Sequence, residues 1–238
     1  MNNLNKILAS IAFLFSLVIY ILTMAPTTSF WDCGEFIATS VIMGVPHPPG
    51  TPFYLLLGNL FSQIPTFADT GARVNLISPI FSAFAVMFLY LIIVQLIEEW
   101  RGEAKTWPDF LITYGSAMIG ALTFAFTDSH WFNAVEAEVY SISTFFTGIV
   151  VWLILKWSNN SGHPGNVRYI LIIAYMFGLA IGIHLLNLLA LPFIALIVYF
   201  NKYEFKLGSF LATMGVTLLT FMVIYLGIIK GIPNLANS

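Results

Sequence analysis

The chain is short of cysteine, of charge and of any long polar stretch. A single cysteine, Cys33, in 238 residues excludes an intrachain disulfide and a zinc site built from several thiolates. Charged residues make up 8% of the sequence, where a soluble domain carries about a quarter, so the apolar excess is not the core of a soluble protein. Nine Lys+Arg against 11 Asp+Glu give a net charge of −2, which rules out a polybasic nucleic-acid binder. None of the four histidines pairs with another at the i, i+4 spacing of a zinc protease helix. What is present is hydrophobic: 59% of the residues, including 22 Phe, 10 Tyr and 6 Trp, with a mean hydropathy of +0.89. Rings in such number suit lipid and its interfaces. The expected fold class is an all-α polytopic membrane protein.

Crossing ~30 Å of hydrocarbon takes roughly 20 mostly apolar residues. Residues 7–24, 74–97, 139–157 and 207–229 meet that length, and 110–127 does so with Gly115 and Gly120 suggesting close helix contacts. Residues 7–24 exceed the apolar core of a signal peptide, and Pro26 follows the one small residue near a cleavage point, so they are read as a retained anchor. Residues 169–200 are too long for one crossing and too short for two full ones. Pro192 breaks the run, while His184 and Asn187 sit near its middle. Two shortened helices meeting at 185–192 place Lys202 and Lys206 on the side of the other basic loops; one helix does not. About seven transmembrane helices are expected, with residues 1–238 forming one transmembrane module and no soluble domain.

With the N-terminus cytoplasmic, Lys6, Arg101, Lys105, Lys156, Arg168, Lys202 and Lys206 lie inside, and only Arg73 and Lys230 lie outside. Asp32, Glu35, Asp69, Asp128, Glu136 and Glu138 collect on the outer side, together with His47, His130 and His184. The inner loops are short and basic, so any chemistry is expected on the extracytoplasmic face. The Asn159-Asn160-Ser161 sequon falls in an inner loop and carries no weight.

One connection is long: the first outer loop, residues 25–73. Within it, residues 31–45 fit a helix lying along the membrane surface, and 53–64 fit an interfacial or re-entrant helix too short to cross. Between them, Pro46-His47-Pro48-Pro49-Gly50-Thr51-Pro52 demands a stiff turn. Long ordered loops more often carry function than not. Asp32 and Glu35 admit two readings. They form a capping box, with Trp31 and Phe36 as its hydrophobic staple, or one carboxylate faces a cavity as a base for a hydroxyl. Both can hold.

The second outer loop, residues 128–138, is acidic and aromatic. If it is helical, Asn133, Glu136 and Tyr140 share a face. Its acids are then solvated or cap the next span, or Glu136 or Glu138 meets the acids of the first loop around a metal or a sugar hydroxyl. Arg73 is an interfacial anchor or a bidentate clamp for a lipid phosphate. His47 and His184 are candidate helpers, and Cys33 is most simply a small buried filler.

The runs Phe30-Trp31-Asp32-Cys33-Gly34-Glu35-Phe36-Ile37 and Gly44-Val45-Pro46-His47-Pro48-Pro49-Gly50-Thr51-Pro52 resemble the first outer loop of one membrane family. So do Trp131-Phe132-Asn133-Ala134-Val135-Glu136-Ala137-Glu138-Val139-Tyr140 and Gly178-Leu179-Ala180-Ile181-Gly182-Ile183-His184-Leu185-Leu186-Asn187. That family, of the GT-C glycosyltransferase type, joins Bacteroidetes-type membrane proteins with an animal endoplasmic-reticulum O-mannosyltransferase acting on plexin-type receptors. The resemblance implies a seven-span module whose first outer loop is catalytic. It implies an inverting enzyme that moves a sugar from a polyprenyl-phosphate donor to an acceptor hydroxyl, on protein Ser/Thr or on a glycan. Carried over by position, Asp32 is the catalytic base, Glu35 is its neighbour in the motif, and Glu136, Glu138 and His184 line the site. Members of the family continue with further spans and a large soluble part. The alternatives are therefore a transporter or flippase of lipid-linked sugars, and a non-catalytic truncated subunit that works with a partner subunit. No cofactor is required by the reading, and a divalent cation is left open. The partners expected are the bilayer, the lipid-linked sugar and the acceptor, in a bacterial inner membrane, with the endoplasmic reticulum as the other candidate.

Overall fold

A computed structural model of the chain describes residues 3–48, 50–163 and 165–231; Pro49, within the expected proline turn, lies outside them. The described residues are helical throughout their regular structure. α1 (Asn3–Thr23) leads into the first loop, which holds α2 (Cys33–Ile42), α3 (Pro52–Gln63) and a short α4 (Thr70–Asn75) that runs into α5 (Ile77–Arg101). Next come α6 (Trp107–Phe110), a π turn (Leu111–Gly115) and α7 (Ser116–Ala125), after which α8 (Asp128–Ala134) bends away by 68°. α9 (Val139–Asn159), α10 (Val167–Ile181), a 3-10 turn (Leu185–Leu189), α11 (Ala190–Lys202), α12 (Leu207–Met222) and a π segment (Val223–Gly231) follow.

Among the described residues, five helical runs are long and apolar enough to cross a membrane: Asn3–Thr23, Thr70–Arg101, Val139–Asn159, Leu185–Lys202 and Leu207–Gly231. Trp107–Ala125 taken with α8 makes a sixth. The seventh expected span, α10, has 15 residues, about 22 Å of helix against ~30 Å of hydrocarbon. The sequence predicts two shortened helices here, but the break comes earlier than residues 185–192. The chain leaves the helix after Gly182, with His184 extended at φ −153° and ψ 139°. Pro192 instead sits in the first turn of α11, where its missing N–H is not needed by the helix.

α5 is the central post, packed between α1, α7 and α9. Its buried Ser78, Ser82, Ala83 and Ala85 are small, which lets those neighbours approach. The Tyr20 hydroxyl of α1 donates to the Ala125 carbonyl at 2.8 Å, satisfying an oxygen at the end of α7 that has no helical partner. Gly120 meets the expectation of a close contact, since a Cβ there would stand 3.0 Å from Ile93 Cδ1. Gly115 does not: nothing lies within 4 Å of its Cβ position, and it ends the π turn. Half of the apolar window of Thr70–Arg101 is buried, against 6% for Leu207–Gly231, whose side chains are mostly exposed.

The first loop is folded down on this scaffold. α2 and α3 pack closely where Gly58 faces Ser40, since a Cβ on Gly58 would collide with the Ser40 side chain. Beneath them, Phe36, Tyr54, Val74, Ile77, Val139, Ile142, Phe146 and Ile183 form one apolar cluster that joins the loop to α5, α9 and the end of α10.

Candidate active site at the mouth of the first loop

Three ties fix the loop over the helix ends. The Ala25 N–H donates to the Val135 carbonyl at 2.8 Å, joining the exit of α1 to the segment between α8 and α9. The buried Asn75 amide donates to the Ala25 and Thr27 carbonyls at 2.9 and 2.8 Å. The Phe53 N–H donates to the Gly182 carbonyl at 3.0 Å, so α3 starts at the break after α10. Asp69 caps α4 through the Ala72 N–H and also accepts from the Thr27 hydroxyl. The proline turn closes with the Gly50 N–H on the His47 carbonyl at 3.0 Å, and Gly50 supplies the φ of +73° that the turn needs.

The capping box expected at Asp32 and Glu35 does not form. Asp32 precedes α2 in a helical conformation (φ −79°, ψ −5°), which turns its carboxylate away from the helix N–H groups, and it makes no cap bond. Trp31 is 84% exposed and staples nothing; it holds a left-handed φ of 59°, a strained backbone directly before Asp32. Glu35 faces the proline turn instead. Its Oε1 accepts the His47 N–H and its Oε2 pairs with His47 Nδ1, both at 2.7 Å. The hydrogen bonds from the His47 ring and backbone hold the Glu35 carboxyl below its usual range, and Glu35 in turn raises the His47 imidazole above its own. Polar atoms of Asp32, Glu35 and His47 lie within 4.8 Å of one another, on the open side of the site.

One residue on, the side chain points inward. Cys33 is fully buried, as a filler would be, but its thiol lies 3.7 Å from Glu138 Oε1. Cys33, Glu136 and Glu138 also bring one ligand atom each within 4.8 Å. The two glutamates are 3% and 6% exposed, so they are not the solvated acids of the simplest expectation. Neither does Glu136 share a helical face with Asn133 and Tyr140. α8 ends at Ala134, residues 135–137 are irregular, and α9 begins only at Val139. Because the backbone leaves the helix there, both carboxylates turn into the space under α2. The Glu138 N–H and carbonyl are held by Ser78 and Ser141. Burial, then the charges of Asp32 and Glu136, raise the Glu138 carboxyl to about 7. Burial and the same glutamates push the Cys33 thiol up as well.

The remaining sequence candidates are placed differently. Arg73 spends its Nε, Nη1 and Nη2 on the carbonyls of Phe67, Ser62 and Ala68, clamping the segment between α3 and α4. His184 accepts the Leu186 N–H at 3.2 Å and rests its ring on Tyr140, with 5.0 Å between centroids. No contact joins His184 to the acids among the described residues. Asn187 ties the Ala180 and His184 carbonyls together and accepts from Thr147, which is a structural task. The sequence reading missed Tyr54 and Asn75. Tyr54 is 0% exposed, and its hydroxyl, with no hydrogen-bond partner, feels the charges of Glu138 and Cys33. A tyrosine in a short apolar run reads as an interfacial ring, so only the folded loop reveals it.

The arrangement can hold an acceptor hydroxyl or a cation between an exposed carboxylate and a buried pair. The family model for the protein O-mannosyl-transferase TMEM260 N-terminal domain matches residues 32–207, which include every acid of the site. The chain is 28% identical over 190 residues to protein O-mannosyl-transferase tmem260 of Dictyostelium discoideum, covering 74% of this chain and 21% of that protein. It is 26% identical over 163 residues to protein O-mannosyl-transferase TMEM260 of Mus musculus, covering 68% and 21%. The chain therefore spans about a fifth of the length of these curated relatives. No solved structure matches it.

Proposed function

Since this chain belongs to the family of the protein O-mannosyl-transferase TMEM260 N-terminal domain, we propose that it carries the donor-activating site of a membrane glycosyltransferase. The substrate class is a sugar, mannose by analogy with the named relatives, linked to a polyprenyl phosphate whose tail lies in the bilayer. The site faces the extracytoplasmic side, as the distribution of Lys and Arg suggests. Asp32 takes the proton of an acceptor hydroxyl; that oxygen attacks the anomeric carbon, and the bond from this carbon to the phosphate oxygen breaks with inversion. Glu35 positions His47 beside Asp32 and raises the affinity of its imidazole for a proton, and the protonated ring suits the departing phosphate. Glu136 and Glu138 line the floor, and His184 borders the site beyond Tyr140. Arg73 has two of its five N–H donors free of the loop carbonyls and offers them to the lipid phosphate.

The observation that carries this reading is the placement of Asp32, exposed and next to the Glu35–His47 pair, directly above a buried carboxylate pair in the family's matched region. The test is reconstitution of the chain in liposomes with a radiolabelled polyprenyl-phosphate sugar and an acceptor protein extract. Transfer of label to protein by the wild type, and none by a folded and inserted Asp32→Asn variant, is the expected result. Full transfer by Asp32→Asn removes Asp32 from the mechanism, and label crossing the bilayer without transfer identifies a flippase instead.

A further inference from the structure

Among the described residues, no Lys or Arg forms an ion pair with the buried Glu136 and Glu138. Burying carboxylates is costly unless a cation or a metal balances them. Around Glu136 and Glu138 the structure places a thiol at 3.7 Å from Glu138 Oε1, and two buried oxygens with no hydrogen-bond partner among the described residues. One is Glu136 Oε1; the other is the hydroxyl of Tyr54, a fully buried side chain from a different helix that is electrostatically coupled to both Glu138 and Cys33. The geometry points to a divalent-cation site formed by Cys33, Glu136 and Glu138 beneath Asp32, with Zn²⁺ the best-matched ion.

The donor set argues for that ion. One thiolate and two carboxylates are borderline in softness, which fits Zn²⁺ better than Ca²⁺ or Mg²⁺ with their preference for oxygen alone. Tetrahedral zinc with Zn–S near 2.3 Å and Zn–O near 2.1 Å has a sulfur-to-oxygen edge of about 3.6 Å. Cys33 Sγ and Glu138 Oε1 already stand 3.7 Å apart. Three protein ligands leave the fourth position to a water or a substrate oxygen, the open arrangement of a reactive rather than a purely structural zinc. On binding, the thiol proton and any carboxyl proton leave to solvent, so affinity rises with pH. The exposed Asp32, Glu35 and His47 group is the poorer ligand set, because both oxygens of Glu35 are already engaged by His47.

The inference stands apart from the transferase reading, and its test reads binding rather than sugar transfer. The chain in lipid nanodiscs is stripped with a chelator, dialysed against Zn²⁺ and analysed for metal, with helicity checked by circular dichroism. About one ion per chain is expected for a three-ligand site. Cys33→Ser and Glu136→Gln are expected to lose it, and His47→Ala to keep it. Substitution of Co²⁺ should add a sulfur-to-cobalt absorption band that Cys33→Ser abolishes, which reports thiolate ligation even if a glutamate variant fails to fold. The proposal is overturned if the wild type retains no zinc, if cobalt binds without the thiolate band, or if zinc follows His47 rather than Cys33 and Glu136.

Discussion

At the start of α2, Asp32 stands in solvent beside Glu35 and His47, while the next residue, Cys33, is buried with Glu136 and Glu138. The exposed group is tied across the proline turn: Glu35 accepts the His47 backbone N–H and pairs with its ring nitrogen, both at 2.7 Å, while Asp32 stands outside that pair. The inner group holds a contact from the Cys33 thiol to Glu138 at 3.7 Å, and its two carboxyls are buried away from water. Adjacent residues of one helical turn point about 100° apart, so a single motif can serve both environments. Under the proposed function, proton transfer belongs to the exposed acid, and under the inferred metal site, cation binding belongs to the buried ones.

The comparison breaks most visibly at Asp32. In the transfer assay, Asp32→Asn should lower the rate by ~10²–10⁴-fold, the range of general-base catalysis, with helix content unchanged. A variant of near-normal rate would move the base elsewhere.

Glu138 sharpens the inner half. Its carboxyl is raised from 4.5 to about 7 in the folded chain, so the folded state binds the proton more tightly than the unfolded one. That stability is fully present below pH 4.5 and is lost as pH rises through about 7. A shift of this size corresponds to about 3 kcal/mol. With chelator present, Glu138→Gln should therefore unfold like the wild type at low pH and be more stable by about that amount above pH 8. A stability difference independent of pH contradicts the burial of this charge.

Asn75 supports both halves by holding the loop over them. Asn75→Ala should cost about 1–3 kcal/mol, because the Ala25 and Thr27 carbonyls lose their buried donor. Hydrogen exchange should rise in residues 25–28 before it rises in α5; uniform protection would show that the tie is dispensable.

The smallest effect is expected at the outer pair. Glu35→Gln should lower the His47 pKa toward 6.5, read by NMR of the imidazole, since Glu35 is the first cause of its elevation. In the wild type, the stabilisation from protonated His47 is present below pH 6.5 and lost as pH rises through its elevated value. An unchanged titration would detach His47 from Glu35.

Much of this was legible in order but not in space. The two loop helices follow from short apolar runs on either side of four prolines in seven residues, and α2 and α3 lie there. The run of residues 169–200 splits into two helices as expected, although Gly182 and His184, rather than Pro192, end the first, and that first helix is shorter than a full crossing. The convergence of the acids was not legible, because backbone groups produce it: the Ala25 N–H on Val135, and the Phe53 N–H on Gly182, have no side-chain signature. Spacing also misled at two places. Asp32 and Glu35 stand three apart as a capping box does, yet the left-handed Trp31 and helical Asp32 backbone send Glu35 to His47. Glu136 and Tyr140 stand four apart, yet no helix joins them.

A direct titration of the Glu138 carboxyl, by infrared difference spectroscopy on chelator-treated protein in nanodiscs, tests most closely whether the two outer loops meet in one site. A midpoint of about 7 that falls when Asp32→Asn removes the neighbouring charge is the predicted result. A midpoint near the ordinary 4.5 in both proteins would contradict it.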